Sequence, residues 1–67
     1  MNMLERFQQK MEVFNVLVTC QEMFEHGSKP EAIIEMLRMA CKFYDQSIVI
    51  DWLAKNEKLL AYLQGGN

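Results

Sequence analysis

The chain has 67 residues, of which 51% are hydrophobic and 24% charged, and its formal net charge is −2. So short a chain builds a single small domain, here residues 1–67, and its apolar content excludes a disordered segment. Seven basic against nine acidic residues leave no basic excess of the kind that nucleic-acid binders carry, and no apolar run approaches the ~20 residues of a membrane span.

The hydrophobic periodicity predicts an all-α fold, a helical hairpin plus a third helix, packed as a homodimer. The only competitor is a short strand at residues 48–50, where three β-branched residues follow one another, but no second run could pair with it. One bent helix over residues 29–63 remains an alternative to two separate helices. The predicted helices span about residues 3–26, 29–44 and 47–64.

The first break in the pattern lies around Gly27. Glycine suits the left-handed residue that ends a helix. Ser28 and Glu31 have the spacing of a capping box for the second helix, and Pro30 fits its first turn. Asp45 or Ser47 could cap the third helix.

The first helix carries two apolar stripes that point in different directions. One stripe follows the 3-4 spacing of a heptad pattern, and we call it the heptad stripe: Leu4, Phe7, Met11, Phe14 and Val18. The other turns well away from it, toward the second helix: Val13, Val16, Leu17, Cys20, Met23 and Phe24. A hairpin about Gly27 therefore leaves the heptad stripe with few intramolecular neighbours, and we expect a second copy or another protein to cover it.

Two residues of the third helix are further interface candidates. Trp52 offers a large apolar body with one N–H donor, which anchors either a core or an interface. Asn56 falls in the middle of an apolar side, where a single buried asparagine can fix register and oligomeric state; the alternative is a helix end that reaches solvent.

No constellation for catalysis or metal binding is present. His26 is the only histidine, and Cys20 and Cys41 are not in a ligand spacing, so we expect no metal, no cofactor and no enzymatic activity. Unpaired thiols suit a reducing compartment, so we expect a cytoplasmic protein. Direct nucleic-acid binding is not expected, because Glu31 and Glu35 begin the helix that would have to approach the phosphates.

The sequence thus predicts a small non-enzymatic interaction protein. It would self-associate and regulate, sequester or chaperone a partner protein through apolar helix faces. Two alternatives stay open: an accessory transcriptional or nucleoid regulator that acts with a DNA-binding partner, and a thiol or redox protein that uses Cys20 and Cys41.

Overall fold

The computed structural model describes residues 2–65, and all of its regular structure in that range is helical. The all-helical prediction is confirmed for these residues. Four helices are present rather than three, because the predicted third helix is divided. They are α1 (Met3–Glu25), α2 (Pro30–Phe43), α3 (Gln46–Lys55) and α4 (Glu57–Leu63).

Helix α1 begins with a capping box that was not predicted from the sequence. The backbone N–H of Glu5 donates to the side-chain oxygen of Asn2 at 2.8 Å, and the Glu5 carboxylate accepts from the Asn2 N–H at 3.4 Å. These two bonds satisfy groups that a helix start leaves without partners. The start of the heptad stripe is therefore held in helical form although few tertiary contacts surround it.

Gly27 ends α1 as predicted. Its φ of +81° lies in the left-handed region, and a Schellman pair of bonds closes the helix. The N–H of Ser28 donates to the carbonyl of Met23 at 2.9 Å, and the N–H of Gly27 donates to that of Phe24 at 3.1 Å. The chain turns back here, and α2 packs against α1.

The predicted capping box of Ser28 and Glu31 does not form. Because Pro30 is the first residue of α2, the N-cap falls on Lys29, whose side chain makes no capping bond. Ser28 therefore lies one residue too early to cap the helix. Its carbonyl instead accepts a hydrogen bond from the Tyr62 hydroxyl at 2.6 Å, which ties the α1–α2 turn to α4.

Asp45 caps α3, and Asn56 separates α3 from α4. The Asp45 carboxylate accepts from the backbone N–H and the hydroxyl of Ser47, at 2.9 and 2.8 Å. At Asn56 the backbone leaves the helical region (φ −106°, ψ 72°), and its side-chain amide donates to the carbonyl of Trp52 at 3.1 Å. A side chain that bonds its own backbone competes with the helix, which explains why residues 47–64 do not form one element.

The core lies where the four helices meet, and α1 contributes its second stripe to it. The buried residues repeat at helical spacing along α1 and α2, and α3 and α4 each add one. They are Val13, Leu17, Cys20, Ile33, Leu37, Ala40, Val49 and Leu59. The first ten residues of α1 contribute none of these, so the N-terminal half of α1 lies largely outside the core.

Candidate interaction surface

The heptad stripe is exposed along its whole length. The exposed fractions fall from 73% at Leu4 to 40% at Val18, and Met3 beside the stripe is 86% exposed. At ~100° per residue, the stripe is turned by about 130° from the direction of Val13, Leu17 and Cys20. One helix therefore buries one face in its own core and presents a second apolar face to solvent.

The apolar area of this surface is large for a chain of 67 residues. A large side chain carries roughly 150–250 Å², so the exposed fractions of the stripe and Met3 amount to on the order of 600 Å². The largest apolar patch on a typical monomer is about 300–600 Å² and often has a function. The heptad stripe with Met3 thus lies at the upper end of the patch sizes that monomers expose, and patches of this size often have a function.

Charged groups border the stripe at its C-terminal end and, at Lys10, along its side. Glu22 and Glu25 continue the helical spacing beyond Val18, one and two turns further on, and the last turn of α1 carries no basic residue. Along the stripe itself Lys10 and Asn15 border a shallow depression of 260 Å³ whose floor is Met11 and Phe14.

A separate apolar groove runs between α2, α3 and α4, and we call it the α2–α4 groove. It has a volume of 380 Å³, and Arg38 is its only charged lining residue. Ile50 lies on its rim and is 61% exposed. The remaining lining side chains are Ile34, Leu37, Cys41, Val49, Leu53 and Leu63. Sequence reasoning did not find this surface, because it arises from the relative placement of three helices.

A smaller groove of 170 Å³ lies between α1 and α2. Met36, Met39 and Phe43 line it together with Val16 of α1. Met39 and Phe43 are more than half exposed, and no part of this groove adjoins the heptad stripe, which lies on the other side of α1.

Trp52 and Asn56 do not join the heptad stripe. Trp52 is partly buried and packs against the core from α3. Asn56 lies in the break between α3 and α4 rather than in the middle of a helix face, and its side-chain amide is engaged by the Trp52 carbonyl. The structure thus gives each of them an intramolecular contact, and neither adds to the heptad stripe.

The groups that could carry chemistry lie apart from one another. Cys20 is buried, and burial raises the pKa of its thiol, which disfavours the reactive thiolate. Cys41 lies in the α2–α4 groove, and both cysteines are free. Within residues 2–65 no group of three or more His, Cys, Asp or Glu side chains is placed to hold a metal ion.

A polar cleft lies between α1 and the start of α3. Arg6, Lys10, Asp45 and Asp51 line it, so its basic and acidic groups balance. The hydrogen bond from the Ser47 hydroxyl, followed by that from the Ser47 backbone, lowers the pKa of Asp45, with a smaller contribution from the charge of Arg6. Asp45 is therefore an ionised helix cap.

None of the described helices combines the length and the apolar character that crossing a membrane requires. Comparison of the chain with protein-family models, with curated proteins and with solved structures gives no match.

Proposed function

We propose that this protein is a non-enzymatic interaction module that associates with itself through the heptad stripe and regulates, sequesters or chaperones a partner protein. One observation carries the proposal: α1 keeps a second apolar face, from Leu4 to Val18, entirely outside the core of its own chain. Burial of each large apolar side chain is worth roughly 1.5–3 kcal/mol, so association recovers free energy that the monomer leaves in water.

The self-association is tested by sedimentation velocity over micromolar concentrations. We expect a species of twice the 7.9 kDa chain mass, and the triple variant Phe7→Ser, Met11→Ser, Phe14→Ser should sediment as a helical monomer. The matched control is Phe43→Ser. It removes a phenylalanine that is exposed to nearly the same fraction as Phe7, 65% against 63%, but lies off the stripe.

Two results would contradict the self-association. A compact monomer for the natural sequence at 100 micromolar would remove its basis. Loss of the dimer in Phe43→Ser to the same degree as in the triple variant would mean that general apolar exposure, and not the stripe, drives association.

The α2–α4 groove supports the second half of the proposal, because a dimer built on the heptad stripe leaves it open. Its apolar lining and single basic rim residue suit an amphipathic helix that brings an acidic side chain to Arg38. Ile50→Glu places a charge on the exposed rim without touching the core. We expect this variant to remain dimeric and to lose proteins that the natural sequence retains from a cell extract; retention of the same proteins would contradict this use of the groove.

A further inference from the structure

We propose that the occupant of the heptad stripe is the same stripe of a second copy, running antiparallel about a two-fold axis that passes near Met11. This inference rests on the proposed self-association and adds the orientation and the residue pairing.

The order of side chains along the stripe supports a two-fold arrangement. Read from either end, the stripe gives an aliphatic residue, a phenylalanine, Met11, a phenylalanine and an aliphatic residue. In an antiparallel pair centred near Met11, Leu4 therefore lies opposite Val18 of the other copy, and Phe7 lies opposite Phe14. Leu4 of each copy then contacts Val18 of the other, and Phe7 of each contacts Phe14 of the other, which is the reciprocal pairing of an isologous interface.

Charge selects the antiparallel over the parallel orientation. Glu22 and Glu25 follow the stripe on the same side of α1, and no basic residue is present in that last turn. A parallel pair would set these two carboxylates beside their own counterparts. An antiparallel pair centred near Met11 places Glu22 and Glu25 about 5 and 9 Å beyond the start of the other α1, and so keeps these carboxylates away from their own counterparts.

The available area is sufficient for a specific dimer. Two stripes, each with Met3, offer on the order of 1,000–1,200 Å² of apolar surface before the flanking polar atoms are counted. A biological interface generally exceeds about 1,000 Å² in total. The flexible thioether of Met11 at the axis can adapt to its own copy, since methionine has three rotatable bonds.

The orientation is tested by cross-linking with two single-cysteine positions. Leu4 and Val18 are about 21 Å apart along α1, since a helix rises 1.5 Å per residue, so a short bismaleimide cannot bridge them within one chain. Leu4→Cys and Val18→Cys are prepared separately in a Cys41→Ala background. Cys20 is retained because it is fully buried. Each variant is first shown by sedimentation to remain dimeric.

We expect covalent dimers when the two variants are mixed and little product when either is treated alone. Mass spectrometry identifies the product, because the mixed species contains one chain of each mass. Strong self-linking of each variant without excess mixed product would establish a parallel pair and overturn the proposal. A dimer by sedimentation that cross-links in neither sample would also overturn it, since the stripes would then not meet along their length. Absence of any dimer defeats the proposed self-association itself, and sedimentation of the natural sequence reports that outcome independently.

Discussion

Phe14 and Leu17 lie three residues apart on α1, about 60° apart around its axis, but one is exposed and the other buried, so their substitution should have different effects. Phe14 is 57% exposed and Leu17 is 1% exposed. If the exposed part of Phe14 is what association buries, Phe14→Ser removes about 1 kcal/mol per copy. Two-fold symmetry doubles this loss to about 2 kcal/mol. The dissociation constant of the dimer should therefore rise about 30-fold.

Leu17→Ala acts on the folded chain instead. Truncation of a fully buried leucine costs about 2–5 kcal/mol, a large part of the stability that a domain of this size has. Sedimentation gives the dissociation constant, and urea unfolding followed by far-ultraviolet circular dichroism of monomeric samples gives the stability. The reasoning is refuted if Phe14→Ser unfolds the monomer as Leu17→Ala does, or if it leaves the dissociation constant unchanged.

Three further predictions concern the cap of α3, the thiols and the turn at Ser28. Since the pKa of Asp45 is lowered in the folded state, its capping contribution is present above the pKa it has in the unfolded chain and is lost as the pH falls through the lower folded value. The urea midpoint should therefore fall less steeply with decreasing pH in Asp45→Asn than in the natural sequence, because asparagine keeps a capping oxygen but does not titrate. Parallel plots of midpoint against pH for the two proteins would contradict this. Cys41 should react with a thiol reagent in the native protein, and Cys20 only on unfolding; equal rates would contradict the burial of Cys20. Tyr62→Phe removes the bond to the Ser28 carbonyl and should cost about 0.5–1.5 kcal/mol by urea unfolding; an unchanged midpoint would show that water replaces it fully.

The exposed face of α1 and the turn at Gly27 could be predicted from the sequence, because both depend on residues that are close together along the chain. Heptad spacing separated the heptad stripe from the core residues because both lie on one long helix, where the direction of a side chain follows from its position in sequence. Gly27 was predictable because few residues tolerate the left-handed conformation that closes α1.

The features that the sequence did not predict depend on local interactions that compete with one another, or on how the helices are placed relative to each other. Ser28 has the right spacing to Glu31, but Pro30 fixes the start of α2 and moves the cap to Lys29. Asn56 interrupts the predicted third helix because its side-chain amide donates to the Trp52 carbonyl. Hydrophobic periodicity does not predict such a local hydrogen bond. The α2–α4 groove requires three helices to be placed relative to one another, which no spacing along the chain specifies.

The most direct test of the central claim is an isotope-filtered nuclear Overhauser experiment on a mixture of two samples. One copy carries labelled methionine methyl groups, with Met11 assigned by its loss in Met11→Leu, and the other copy is unlabelled. Coverage of the heptad stripe by a second copy predicts intermolecular contacts from the Met11 methyl group to the phenylalanine rings of the stripe. Intermolecular contacts from other methionines but none from Met11, or translational diffusion of a monomer, would contradict it.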